Sequence, residues 1–440
     1  MVPPSTFDWD AFSNRLFDEL ANALIALGRE EPGPVYVVAL WGGYRELGAL
    51  LSLPLLAVNT EARGSPGDGG FWCERWSPAD WAYDDIELSS QALALEQGLT
   101  AEATRGSVAQ WRETERHYEA VLMDVVQRLH AVATEHLRCT PDFVCFIHAA
   151  DGTGPDVARK TIPAELFATL FSVEVKLKQD KQAMATRPPA EQAAYWVTRF
   201  GAFGPLGTED AQEALVALGP DATAALVATL DDPKVGWTAA MVLARMRLAT
   251  PSTVAALRER AEQHLWHAMA LGMLGDGAWL QTQSPSVAVR GLTAPLRAIA
   301  SGDGPPPKLD YAPLREYLAT ADTATVELVE QTLKPGSSYA GIVASDVSAA
   351  LEGLTSSHAV IRWHAASVLG DRALGDDACE AILAALPLDD PHPLVRRLAA
   401  LSIGRWRASA RSYREDLERL METDVDEHVQ RAAKTALSML

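Results

Sequence analysis

Apolar residues recur every three or four positions through the opening stretch of the chain: Trp9, Phe12, Leu16, Leu20, Leu24 and Leu27. That spacing gathers them on one face of a helix. Ser5 or Thr6 is placed to cap its start and Gly28 to end it. The period then changes. "VYVVALW" at 35 and "LLAVNTE" at 55 are short runs of branched and aromatic residues and predict strands, and "DFVCFIHAAD" at 142 predicts a third. Between the second and third, "WSPADWAYDDIELSSQALALEQGL" turns and becomes helical, and "VAQWRETERHYEAVLMDVVQRLHAVATEHL" is a long amphipathic helix. "IPAELFATLFS" at 162 is a short closing helix. This order predicts an α+β N-terminal domain over residues 1–180, a small sheet with packed helices.

The C-terminal half repeats itself. "VIRWHAASVLG" at 360, "LVRRLAALSIG" at 394 and "HVQRAAKTALS" at 428 keep one register. Ile361, Val395 and Val429 are 34 apart, as are His364, Leu398 and Ala432, Gly370, Gly404 and Ser438, and Ser356, Asp390 and Asp424. Each unit has a polar cap that accepts backbone N–H bonds, then branched and small residues along one face. "SDVSAALEGL" at 345, "DDACEAILAAL" at 376 and "REDLERLMETD" at 414 supply the partner helices. One such pair cannot bury its own apolar face, so pairs must stack. The pattern resembles HEAT-like repeats of the short, bacterial PBS-lyase type. "DPHPLVRRLAALSIG" at 390 is the best match, "DDPKVGWTAAMVLARM" at 231 an earlier one, and "HLWHAMALGMLGD" and "SPSVAVRGLTAPLRAIA" weaker ones. The resemblance implies an all-α HEAT-like solenoid over 190–440. Irregular loops are expected near 301–313 and 334–341, where "SGDGPPPKLDYAP" and "KPGSSYAG" break the spacing.

Composition narrows the partners. The 440-residue chain carries a formal net charge of −20. A field of that sign repels nucleic acid and anionic lipid and favours a basic protein. No run of 18 apolar residues appears, so no membrane span is expected. The N-terminus has no basic stretch followed by an apolar one, and Cys73, Cys139, Cys145 and Cys379 are too few for a disulfide framework. A cytoplasmic protein with reduced thiols is expected.

Residues 71 to 88 concentrate three tryptophans, Trp72, Trp76 and Trp81, around Ser77 and Pro78. Pro78 fits a first helical position. Ser77 and Asp80 have capping-box spacing, and Trp76 and Trp81 stand where a hydrophobic staple would. Trp76, Ser77, Pro78, Asp80 and Trp81 are therefore expected to fix the entry of the chain into a helix, with both indoles buried. Trp72 follows the glycine-rich "RGSPGDGG". With Tyr83, Asp84 and Asp85 it is the candidate for an exposed aromatic and acidic lip that grips a basic partner. This region resembles the bacterial domain of unknown function 4303 family over about residues 5–175. The resemblance is carried by Asn59, Thr60, Glu61, Arg75, Trp76, Ser77, Pro78, Ala79, Asp80 and Trp81. That family has no assigned chemistry; the resemblance implies an immunity or partner-binding role, of the kind encoded beside polymorphic toxin genes.

Candidate chemistry is sparse. His136, Cys139, Cys145 and His148 have spacing that suggests zinc. Cys145 and His148, three apart on a strand, point to opposite faces, so no metal is expected. His264 and His267 share a helical face without a third ligand. No Walker loop, G-x-S-x-G, H-E-x-x-H or dinucleotide fingerprint occurs, "DGTGPD" at 151 reads as a loop, and no cofactor is expected. One basic run stands against the acidic whole: Arg396, Arg397, Arg405, Arg407, Arg411 and Arg414. Arginine suits planar anions such as phosphate, while charge runs ordinarily solvate helix faces. The leading expectation is a non-enzymatic protein-interaction module, an immunity protein binding a cationic toxin. Its alternatives are nucleic-acid or phosphate binding through Arg396–Arg414, and an enzyme of unknown type in the N-terminal domain.

Overall fold

The computed structural model describes residues 6–47, 50–64, 70–105, 108–149, 154–203, 206–297, 307–336 and 339–440. The chain divides into two compact units, Met1–Gln182 and Ala183–Leu440.

The first unit runs α1 (Trp9–Gly28), β1 (Val35–Trp41), β2 (Leu55–Thr60), α2 (Ser90–Ala103), α3 (Val108–His136), β3 (Cys139–His148), α4 (Gly154–Thr161), α5 (Ala164–Leu170) and α6 (Ser172–Ala185), whose last residues pass into the second unit. Asp8 caps α1 by accepting from the Ala11 amide, in place of the expected Ser5 or Thr6; Ser5 lies outside the described residues. The sheet order is β2-β1-β3, with β1 antiparallel to β2 and parallel to β3. Alternation decides the faces. Val38, Leu40, Leu56, Val58, Phe143 and Cys145 pack with Leu16, Leu20 and Leu24 of α1 and with Val125 and Leu129 of α3. Ala39, Ala57, Val144 and Phe146 face the other way, against Phe71, Trp76, Phe167 and Phe171. Alternation breaks once. Val35 pairs with Thr60 and Val37 with Asn59, so Tyr36 is the extra residue of a bulge, and a bulge re-aims the side chain it inserts. Tyr36 and Val37 therefore both join the second face.

The described residues of the second unit form a run of helices joined by turns and coil: α7 (Pro189–Val197), α8 (Thr208–Leu218), α9 (Thr223–Thr229), α10 (Gly236–Met246), α11 (Pro251–Arg260), α12 (Leu265–Met273), α13 (Gly277–Leu280), α14 (Pro285–Thr293), α15 (Ala312–Leu318), α16 (Thr323–Thr332), α17 (Val347–Gly353), α18 (Ala359–Val368), α19 (Asp376–Ala385), α20 (Pro393–Arg405), α21 (Arg414–Thr423) and α22 (Glu427–Met439). Helices α10, α12, α14 and α16 pack in succession, as do α18, α20 and α22. Their buried residues form one continuous core. Small residues set the spacing. Ala365, Ala366 and Ala399 are fully buried. A Cβ on Gly404 would lie 2.6 Å from the Ala436 backbone, and one on Gly272 would collide with the Gly291 carbonyl. This is a HEAT-like solenoid.

A polar ladder runs beside the apolar core. Arg362 sends Nε and Nη2 to Asp390 at 2.7 and 3.0 Å, and its Nη1 to the Ser356 carbonyl. Arg396 repeats the arrangement one unit later, to Asp424 at 2.7 and 2.8 Å and to the Asp390 carbonyl. Gln430 holds the third place and donates to the Asp424 carbonyl. Asp390 and Asp424 also accept the amides of His392 and Asp426, so each carboxylate caps its own turn while gripping the preceding helix.

The irregular part of the stack is closed by His364. Of the loop expected at 301–313, residues 301–306 lie outside the described residues; 307–311 are coil and α15 starts at Ala312. Of 334–341, residues 337 and 338 lie outside them, and Tyr339 forms an isolated bridge with Arg297. The fully buried His364 ring takes the Tyr311 hydroxyl at Nδ1, 2.7 Å, and meets the Leu296 carbonyl at Nε2, 3.0 Å. It therefore sits neutral, with its proton on Nε2.

Two outcomes follow from these buried polar groups. Asp390→Ala leaves the Arg362 side chain, 12% exposed, without its carboxylate, and should lower unfolding free energy by about 3 kcal/mol in urea melts. Removing the exposed Arg419–Asp416 pair with Arg419→Ala should cost under about 0.5 kcal/mol. Burial also pushes the His364 imidazole down from 6.5 to about 4. The unfolded chain takes up a proton below 6.5 that the folded chain refuses, so stability is intact above that pH, falls as pH drops toward 4, and levels below it. His364 should supply roughly 3 kcal/mol of that fall, and His364→Gln should flatten it by that amount in melts across pH 4 to 7.

Candidate functional site

The tryptophan motif is a polar pin in the second face of the sheet. Asn59 and Glu61, at and just past the end of β2, meet Arg75 and Trp76 around Tyr36. Asn59 Nδ2 donates to the Tyr36 hydroxyl at 2.9 Å, and that hydroxyl donates to the Arg75 carbonyl at 2.8 Å. Trp81 Nε1 donates to the same carbonyl at 3.1 Å. Burial pushes the Tyr36 phenol up to about 12, which keeps its donor proton. The Arg75 guanidinium lies 3.9 Å from the Tyr36 ring centroid and pairs with Glu61 at 2.7 Å. Trp76 stands edge-on to Tyr36 and against Phe171. Trp76 and Trp81 are 2% and 5% exposed.

The mechanism expected for these residues is corrected. No α-helix starts at Pro78. Residues Pro78–Asp80 make one 3-10 turn, Ser77 forms no side-chain cap, and Trp81 ends the turn. The helix begins at Ser90, capped by the Ser89 hydroxyl. There is thus no capping box and no staple; the indole of Trp81 is held by a hydrogen bond to the Arg75 carbonyl. Asp80 is exposed.

The candidate lip lies at the C-terminal ends of the parallel strands β1 and β3, where open sheets that carry parallel strands present their ligand crevices. Trp72 is 47% exposed. Its ring stands edge-on to His148 at 5.6 Å, and Phe71 stacks on His148 at 5.3 Å. His148 is the register partner of Trp41, whose Nε1 donates to the Asp84 carbonyl at 2.7 Å. A path Trp72–His148–Trp41–Asp84 therefore crosses the strand ends. Tyr83 is half-buried and accepts the Val58 amide at its carbonyl, while the side chains of Asp84 and Asp85 are exposed. Sequence reasoning missed Trp41 and missed what His148 does here. Both its ring nitrogens are buried and have no hydrogen-bond partner among the described residues, and burial pushes its pKa down. Residues 151–153 of "DGTGPD", and 65–69 of the glycine-rich loop, lie outside the described residues.

Cys145 packs on the α1/α3 face and His148 on the other. Among the described residues no group of three His, Cys, Asp or Glu side chains converges to hold a metal. His264 is exposed at the cap of α12 and His267 is buried, 5.5 Å apart ring to ring.

The arginine run is divided. Arg396 is bound to Asp424, and these hydrogen bonds hold the Asp424 carboxyl below its usual range. Arg411 reaches the Leu440 carbonyl and Arg414 lies 3.8 Å from Glu418. Arg397 is near the start of α20, while Arg405 and Arg407 are at and beyond its end.

Comparison with known proteins bears on the second unit. Residues 347–438 match the family model for HEAT repeats. No curated protein matches significantly. The solved structure of an engineered protein is 16% identical over 79% of this chain and 80% of its own, with a TM-score of 0.22, too low to bear on the fold. Among the described residues no helix is long and apolar enough to cross a membrane.

Trp81→Ala should lower stability by about 3 to 5 kcal/mol, as large-to-small core changes do. Trp72→Ala should stay within about 0.5 kcal/mol. In acrylamide quenching, loss of Trp72 should remove accessible fluorescence and loss of Trp81 should not.

Proposed function

We propose that this chain is a non-enzymatic protein-interaction scaffold whose partner is a basic protein. The observation that carries the reading is the match of residues 347–438 to HEAT repeats in a chain of net charge −20. Stacked helix pairs offer extended surfaces for partners, and a strongly acidic field speeds encounter with a cationic one. In the first unit, Trp72, Tyr83, Asp84 and Asp85 form the docking lip. The resemblance of that unit to a family encoded beside toxin genes extends the proposal to an immunity protein that neutralises a cationic toxin.

A second reading, anion binding by the solenoid, has one observation in its favour: among the described residues no ion pair engages Arg397, Arg405 or Arg407. Arg396 takes no part in it, and the separation of Arg397 from Arg405 along α20 confines any phosphate contact to a local cluster.

The test is co-expression with the product of the adjacent gene. A stable complex by light scattering, weakened by salt and by Trp72→Ala with Asp84→Asn and Asp85→Asn, is the expected outcome. Absence of a complex at micromolar concentrations, or binding of a phosphate-bearing polymer in its place, would refute the scaffold reading.

A further inference from the structure

Two tryptophans of the solenoid stand where buried side chains would be expected. Trp237 is the second residue of α10 and Trp266 the second residue of α12. They are 44% and 38% exposed, with ring centroids 5.4 Å apart at 42°. Leu265 beside them is 37% exposed. In α18, by contrast, Trp363 is buried and its Nε1 is bonded to the Leu333 carbonyl. The exposed pair is held in place without help from a partner. Trp237 Nε1 donates to the Lys234 carbonyl at 3.0 Å. Arg260, at the end of α11, grips Asp231 with two bonds of 2.6 and 2.7 Å, which ties the turn before α10 to the turn before α12. Both helices are anchored beneath by buried residues, Thr238, Ala239 and Ala240 in one and His267 and Ala268 in the other.

The segments that lead into the two helices, and so flank the pair, are acidic. Asp231 and Glu259 have side chains 70% and 77% exposed, and Asp232 and Glu262 are exposed. Arg260 is already bound to Asp231 and Glu259 and is 17% exposed, and Lys234 is an exposed lysine in the turn before α10. Indole faces carry the negative end of the ring quadrupole and attract cations, guanidinium above all. A prearranged aromatic pair loses little entropy on binding.

We propose that the Trp237–Trp266 pair, with the flanking Asp231, Asp232, Glu259 and Glu262, docks a basic segment of a partner protein by stacking arginine side chains on the indoles. This rests on the scaffold reading and names the surface and the chemistry. A second copy of this chain is disfavoured by like charge, and nucleic acid by the acidic flanks.

The test uses the full chain and blocked peptides of alternating Arg and Gly, of Lys and Gly, and of Glu and Gly, at about 0.15 M salt, where long-range attraction is screened. Tryptophan fluorescence and calorimetry should register the Arg peptide, the Lys peptide more weakly and the Glu peptide not at all. Trp237→Ala with Trp266→Ala leaves the net charge unchanged and should weaken the Arg peptide about tenfold or more. Trp237→Phe with Trp266→Phe should retain most binding and serves as the folding control, checked by melting temperature. Equal affinity in the double alanine variant would assign binding to general electrostatics and overturn the proposal. So would the absence of Arg-peptide binding, or a dimer of the wild type that the double variant loses. If the adjacent gene product still binds the double alanine variant with unchanged affinity, this surface is overturned while the scaffold reading stands.

Discussion

The last three repeats are fastened in succession by a charged contact, an arginine on α18 or α20 reaching the carboxylate that caps the turn before the next helix of that row. The pair does two things at once. Asp390 satisfies the His392 amide before α20 and holds Arg362 of α18; Asp424 does the same for α22 and α20. Apolar packing alone would allow helices lined with alanine to slide, because alanine offers little shape to interlock. A bidentate guanidinium–carboxylate bond admits one register. Such buried pairs add little net stability yet cost much when half removed. Here they select the spacing at which Gly404 meets Ala436 and Gly370 meets Ser402.

The first unit solves a similar problem with a neutral acceptor. The Arg75 carbonyl receives both the Tyr36 hydroxyl and the Trp81 indole, so a loop without regular structure is pinned to the sheet. The bulge at Tyr36 is what makes this geometry available. Under unbroken alternation from Val38, the position of Tyr36 would face α1 and α3, and the loop would have no partner. The lip at the strand ends depends on that pin, since Trp72 leaves the same loop a few residues earlier.

Periodic features were legible in the sequence and pairwise ones were not. The heptad-like face of α1 and the 34-residue step announced themselves because many positions repeat together. Arg362, Arg396 and Gln430 share that step, yet Arg396 looked like one member of a surface run; its carboxylate partner is 28 residues away, and distant charges give no local signal. The cap-and-staple reading of Ser77 to Trp81 failed for a related reason. Its spacing was right for a helix, but the turn is held by a carbonyl that accepts two side chains, one of them from Tyr36, 39 residues before the loop. His148 drew notice for metal-like spacing, although its ring is packed between Phe71 and Trp72. Trp237 and Trp266 stand 29 apart, outside the 34-residue register, so the repeat does not mark them as a pair.

Internal pairing also shapes what the solenoid offers to a partner. Arg258, Arg260, Arg315, Arg362 and Arg396 each bind a carboxylate contributed by another helix or turn. The chain has 38 basic and 58 acidic side chains, so cations committed to these seams leave the excess of carboxylates to face solvent. On the proposed reading, long-range selection of a basic partner comes from the whole surface, which raises the rate of encounter more than the strength of the final complex. Strength must come from a few desolvated anchors. The exposed indoles at 237 and 266 in one unit, and Trp72 in the other, are the candidates for that part: Trp237 is fixed by its bond to the Lys234 carbonyl and meets Trp266, and Trp72 stands edge-on to Phe71 and His148. In that proposed division of labour, charge brings the partner in and the exposed rings decide which cationic chain stays.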